Sequence, residues 1–251
     1  IGVDQLEMGA GGCPGKDHFD PEVLLKDESK IDDIKRILAE NNMSIAAISA
    51  HGHPVHPDKK IAKQYHDEFN AAVLLAEKLG VDTMIGFSGC PGDSEGSIRP
   101  NWVTCAWPTD YLDTLKWQWE EVLIPYWKEE VKFLKEHGIK KLAFEMHPGF
   151  CVYNPLTVLK LRDAVGDIIG ANIDPSHLIW QGMDPVAVVK ELGAHNAIYH
   201  FHAKDTRVDN ANTAVNGVLD TRSYADVLNR SWVFRTVGYG HGKEFWNDII
   251  S

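Results

Sequence analysis

The stretch Lys141-Leu-Ala-Phe-Glu145-Met-His147-Pro148 runs through Asn154-Pro155 and a helical period to Val165. It continues into Gly170-Ala-Asn172-Ile-Asp174-Pro-Ser-His177, Asp184-Pro185 and Ala197-Ile-Tyr-His200-Phe-His202. Each apolar run is short, ends in a polar residue, and is followed by an Asn-Pro or Asp-Pro helix opening. Asn or Asp caps the first free N–H groups, and proline suits the first helical position. Strands alternating with helices in this way define α/β architecture with a parallel sheet and right-handed crossovers. Several of the strands are short and apolar on both faces, as buried parallel strands are.

The same unit is legible on either side. Upstream, a run ends at Leu6-Glu7-Met8 and breaks at Gly9-Ala-Gly11-Gly12, and helical periodicity covers Pro21 to Glu40 with Asp20 as its cap. A strand is expected over Ser44–Ala50, a helix over Asp58–Leu79 with Gly80 as its C-terminal stop, and a strand over Val81–Phe87. The irregular stretch from Asp93 to Pro108 carries Trp102 and Trp107. A long helix from Asp110 to His137 should be kinked or divided at Pro125. Downstream, Asp205 to Ser231 is polar without periodicity, and a last helix covers Lys243 to Ile250. Six strands are counted in all, in a single domain spanning residues 1–251. The segments Gly9–Gly15 and Gly86–Gly92 share Gly-x-x-Gly-Cys-Pro-Gly, but Pro14 stands where a dinucleotide fingerprint needs glycine.

Composition narrows the function classes. The 251 residues carry a formal charge of −11, which disfavours binding to a phosphate backbone. The four cysteines form no Cys-x-x-Cys pair, so neither a disulfide framework nor a sulfur zinc site is expected. No apolar run reaches the ~20 residues of a membrane span, and the start lacks the regions of a signal peptide. A cytoplasmic protein with a small-molecule substrate, no nucleic acid and no membrane partner is the expectation; self-association stays open.

Of twelve histidines, His51, His53, His56, His147, His177, His200, His202 and His241 lie at or just past a strand's C-terminal end or in the late loop. That rim is where parallel α/β folds build their sites. Side chains two residues apart share a strand face, so Glu145, Asp174 and one of His200 or His202 converge from three consecutive strands if the sheet closes. His202, nearer the strand exit, is the preferred ligand. Two carboxylates and an imidazole suit Mn²⁺, Co²⁺, Zn²⁺ or Mg²⁺; a hydrogen-bonded network without metal is the alternative.

The segments Leu142–Pro148, Asn172–Leu178 and His200–Arg207, with His51-Gly-His53-Pro54 and Phe234–His241, resemble the sugar phosphate isomerase/epimerase family of the xylose isomerase-like TIM-barrel superfamily. The resemblance implies a (β/α)8 TIM barrel whose first and last strand–helix units are missing from this chain, together with a second metal-binding glutamate. It implies a metal held by Glu145, Asp174 and His202, and substrate contacts from His177 and Arg207. His51 and His147 are further candidates for substrate contact, and Lys204 and Asp205 for supporting the ligands. The implied activity is isomerisation or epimerisation of a sugar or sugar phosphate in carbohydrate metabolism, through an enediolate. Glu145 or the missing glutamate would serve as base. A keto-polyol dehydratase or lyase, a non-catalytic sugar-binding barrel and an abasic-site endonuclease are the alternatives. The charge disfavours the endonuclease. Trp102 and Trp107 are read as a pocket wall, and Asp209–Arg230 either as a lid or as an irregular loop.

Overall fold

A computed structural model describes residues 2–251. They form two compact units, the first ending at Ala171 and the second running from Asn172 to Ser251.

The first unit opens with β1 (Gln5–Gly12), α1 (Pro21–Leu24), α2 (Glu28–Glu40), β2 (Ser44–His51), α3 (Lys59–Leu79) and β3 (Thr83–Gly86). It continues with α4 (Asp110–Trp117), a π-helical turn (Gln118–Leu123), α5 (Ile124–Glu136), β4 (Lys141–Glu145), α6 (Pro155–Val165) and the start of β5 (Ile169–Ile173). β1 to β4 pair in parallel and in chain order, and β5 is next in that order. β3 and β5 are buried along their whole lengths, which explains their mostly apolar composition. Gly12 has a φ of +76° and lies against the His51 backbone, where a Cβ would overlap the His51 carbonyl. Glycine there lets β1 hold the end of β2 through the Cys13 N–H to His51 carbonyl bond of 2.7 Å.

The expected helix from Pro21 is two helices. Asp20 caps the first through the Glu22 N–H, as its position suggested. Asp27 and Ser29 bond to each other at the break, and such short polar side chains compete with helical backbone bonding. Asp58 and Gly80 bound α3 as expected, with Gly80 in the left-handed conformation. Between Asp110 and Glu136 the helix is not broken; it widens into the π turn just before Pro125. Proline lacks an N–H and crowds the carbonyl four residues back, so looser bonding upstream relieves the clash. Gln118 on that turn is buried and donates to the Pro91, Gly92 and Asn101 carbonyls at 3.2, 3.0 and 2.6 Å, fastening the irregular loop.

The second unit takes over within β5. It holds α7 (Pro175–Trp180), α8 (Pro185–Ala194), β6 (Ile198–Phe201), β7 (Asp205–Val208), α9 (Asn210–Asn216), β8 (Trp232–Arg235) and α10 (Lys243–Ile250). The His202 N–H donates to the Ile173 carbonyl at 2.8 Å, bringing the exits of β5 and β6 side by side. The stretch read as irregular contains an antiparallel pair, β7 with β8, in register Asp205↔Arg235 through Val208↔Trp232. No tight-turn signature announces it, because α9 and a long connection separate the partners. That connection is anchored. The Ser231 N–H donates to Asp220 at 2.6 Å, and the buried Arg230 guanidinium lies between Tyr224 and Trp232 while donating to the Trp232 and Arg222 carbonyls.

The opening of α6 carries a capping box. Asn154 Oδ1 accepts from the Thr157 N–H at 3.0 Å, and Thr157 Oγ1 accepts from the Asn154 N–H at 3.1 Å. Asn154→Ala should lower stability by about 1 kcal/mol, read as an earlier urea midpoint with an unchanged slope.

Candidate active site

In the first unit Glu145 closes β4 and is buried, with 6% of its surface exposed. Its Oε2 lies 2.9 Å from His51 Nε2, at the end of β2. A buried carboxylate needs a partner, and the parallel order puts two strand ends within reach of each other. His51 turns its ring edge to Phe87, and the His147 ring also meets Phe87, at centroid distances of 4.7 and 5.1 Å. His147 Nδ1 is 2.6 Å from the Pro148 carbonyl. His51 and His147 therefore share one aromatic ring, and Glu145 joins them through His51.

His53 has a structural task. Its Nε2 accepts from the Cys90 N–H at 2.7 Å, and burial, the dominant influence, together with His56 lowers its pKa to about 4. It stays neutral and ties the loop after β3. Of the two loop tryptophans, Trp102 lines a 160 Å³ cavity and meets Tyr153 edge-on, whereas Trp107 is 76% exposed.

The second unit centres on Asp174, which is 1% exposed. Asp-Pro opens α7, so Asp174 Oδ1 caps that helix by accepting from the Ser176 N–H at 2.9 Å. The cap fixes the carboxylate and leaves Oδ2 for Lys204 Nζ at 2.7 Å and His177 Nε2 at 3.4 Å. Lys204 Nζ is also 3.3 Å from His177 Nε2 and 4.5 Å from the centre of the Phe234 ring. Phe234 closes the cluster with an edge contact to His177. Phe234 opens the family-like segment 234–241 but is given no site role from sequence, because its place depends on the pairing of β8 with β7. His202 Nδ1 lies 3.0 Å from Asn172 Nδ2, and the His200 and His202 rings meet edge to face.

Asp205 and Arg207 stand apart from this cluster. Asp205 Oδ2 accepts from the N–H groups of Gly238, Gly240 and His241 and from the Trp246 indole, at 3.2, 3.0, 2.9 and 3.2 Å. Its Oδ1 meets His241 Nδ1 at 2.9 Å and the Thr206 N–H at 2.8 Å. A Cβ at Gly240 would collide with the carboxylate, which is why glycine stands there. Asp205 thus fastens the segment leading into α10, with its partners at 238–246 rather than at His202. Arg207 is exposed on β7, opposite Val233.

A family model described as xylose isomerase-like TIM barrel matches residues 1–250, and the chain belongs to that family. Bacillus subtilis (strain 168) YfiH is 39% identical over 253 residues, covering 100% of this chain and 80% of YfiH. Three solved structures share the fold. The probable 3-DHS dehydratase AsbF of Bacillus anthracis has 15% identity and a TM-score of 0.62, over 99% of this chain and 78% of that one. A Mycobacterium smegmatis xylose isomerase-like barrel in complex with magnesium has 16% identity and a TM-score of 0.58, over 99% and 72%. A D-tagatose 3-epimerase-like protein has 17% identity and a TM-score of 0.56, over 84% and 69%. No helix among the described residues is long and apolar enough to cross a membrane.

Burial opposes ionisation of Asp205, but the His241, Trp246 and Gly240 hydrogen bonds together hold its pKa below the usual carboxylate range. A lowered folded-state value stabilises the fold above the unfolded pKa, and that stability is lost as pH falls through the folded value. Asp205→Asn should cost on the order of 2 kcal/mol near neutral pH. Melting curves should show the gap from wild type constant down to about pH 4 and closing below it.

Proposed function

We propose that the chain is a divalent-metal-dependent isomerase or epimerase of sugars or sugar phosphates, working by proton transfer through an enediolate. Asp174 carries the reading: a carboxylate 1% exposed at a strand exit, with Lys204 Nζ already 2.7 Å from its free oxygen. Such a group is built to face a cation. In a TIM barrel the C-terminal strand ends open onto one rim. Glu145 ends β4, Asp174 follows β5 and His202 follows β6, so the family fold supports these three as the residues that hold the metal.

The donor set fits a divalent ion. Two carboxylates and one imidazole suit magnesium, manganese, cobalt and zinc, and both carboxylates sit where water cannot replace a partner. A bound ion supplies Lewis acidity toward a carbonyl and its neighbouring hydroxyl. Glu145 takes the proton from the carbon beside the carbonyl, and its 2.9 Å contact with His51 holds the carboxylate in position. Lys204 and His177 donate to the oxygen on which negative charge develops, and the Phe234 ring keeps water from their inner side. His51, His147, His177 and Arg207 are the substrate contacts in this reading. Lys204 supports the ligand Asp174 from within the cluster, and Asp205 supports it from the neighbouring position by fixing β7.

The test is deuterium exchange. With manganese, magnesium, cobalt or zinc supplied in D₂O, ketoses or ketose phosphates should gain deuterium beside the carbonyl and yield the epimer or aldose. Glu145→Gln should slow exchange about 100-fold or more. Full exchange in that variant with metal bound would remove Glu145 as the base. Loss of water from the substrate would make the enzyme a dehydratase, and retained metal without exchange would make it a binding protein.

A further inference from the structure

We propose that the cavity between the π turn and α6 binds a small phenolic acid: one aromatic ring with its hydroxyl at the inner end and its carboxylate at the mouth. The cavity lies within the first unit, and none of the proposed metal or substrate residues lines it. Its volume of 160 Å³ is close to the ~150 Å³ of an engineered cavity that holds one benzene molecule.

The walls suit such a ring. Trp102 from the irregular loop, Trp119 on the π turn and Tyr153 after β4 supply aromatic surface, and Trp102 meets Tyr153 edge-on at 5.4 Å. Leu115 and Leu156 add apolar surface, and a seated ring covers part of Leu156, which is otherwise 74% exposed. A sugar would leave most of its hydroxyls unpaired against these side chains, which separates this ligand from the substrate of the proposed reaction.

The polar groups set the orientation. Gln118 is 1% exposed and so belongs to the inner end. Its Nε2 lies 3.2, 3.0 and 2.6 Å from the Pro91, Gly92 and Asn101 carbonyls. Only the N–H side of the amide is stable among three carbonyl oxygens, so the amide cannot be turned the other way. Oε1 is left as an acceptor with no hydrogen bond among the described residues, and a phenol O–H donates to it. The π turn that presents Gln118 and Trp119 is a form of helix found mostly as single turns, frequently at functional sites.

Lys160 is exposed and stands at the mouth. Its Nζ is 4.1 Å from the centre of the Trp119 ring, which holds the ammonium without neutralising it. No carboxylate among the described residues pairs with it; Glu120, beside Trp119, pairs with Lys116 at 4.0 Å. The Trp102 indole N–H is buried without an acceptor, and a small rotation of that ring toward a ligand oxygen supplies one. An acceptor inside, aromatic walls and a cation outside select a hydroxyl, a ring and an anion in that order.

The experiment is titration calorimetry of the full chain with 4-hydroxybenzoate, benzoate and 4-methylphenol. One 4-hydroxybenzoate should bind per chain, about ten-fold more tightly than either of the others, since each lacks one hydrogen-bonded group. Lys160→Met keeps the stem over Trp119 and should weaken 4-hydroxybenzoate about ten-fold while leaving 4-methylphenol unchanged. Leu115→Trp fills the cavity and should abolish binding of all three. No binding at millimolar concentration would overturn the proposal. Equal affinity for benzoate and 4-hydroxybenzoate would remove the inner acceptor, and an unaffected Lys160→Met would remove the outer cation; either overturns the assignment of a phenolic acid. Binding that survives Leu115→Trp places the ligand elsewhere and overturns the site. Where Leu115→Trp does not fold, the three ligands and the surface variant Lys160→Met still decide.

Discussion

A carboxylate withdrawn from water must find charge or hydrogen bonds of its own, at a cost of several kcal/mol if it does not. Asp174 meets that demand at the point where the chain passes from strand to helix. One oxygen is spent on the backbone of α7 and the other faces Lys204 and His177. Much of the second unit is arranged around that second oxygen. Lys204 must leave β6 on the correct side to reach it, and Phe234 must approach from β8 to cover the ammonium. The β7–β8 ladder that brings Phe234 there is in turn fixed by Asp205, which holds the segment beyond β8 by its backbone N–H groups.

Asp174 and Asp205 show how one residue type serves two ends. Both are buried and both accept from backbone N–H groups. Asp205 uses both oxygens on fixed donors of its own segment, so nothing remains for a ligand. Asp174 uses one oxygen on a fixed donor and turns the other to side chains that can move. Burial alone does not mark a site; an oxygen left facing side chains and not backbone separates a candidate reactive carboxylate from an anchor.

That distinction sets what could be read from the sequence. The βα alternation, Asp20, Asp58, Gly80, Asn154 and the polar strand ends were legible because local periodicity and capping chemistry fix them. Glu145 and Asp174 were legible as polar residues on buried strands. The pairing of β7 with β8 was not, because it depends on residues far apart in sequence with no turn signature between them. The partners of Asp205 were hidden for the same reason: the Gly238-to-Trp246 donors gather only once α10 is placed. Close to His202 along the chain, Asp205 looked like its support, whereas its carboxylate is taken up by donors at residues 206 and 238–246. The π turn was half legible, since Pro125 marked the place but not the form of the irregularity.

Lys204 is the residue on which the proposed chemistry turns. Its ammonium and a divalent ion are both positive, and at short range in a partly dry site they repel strongly. Asp174 Oδ2 cannot keep Lys204 at 2.7 Å and serve a metal without some adjustment. The cluster already contains the alternative: the Phe234 ring face at 4.5 Å holds the ammonium from another side. An aromatic face attracts a cation without requiring a charge in return. Lys204 can therefore give up the carboxylate while remaining in place, close to where a substrate oxygen would acquire negative charge. The feature that neutralises Asp174 when no cation is bound is then the same one that serves the developing oxyanion when one is.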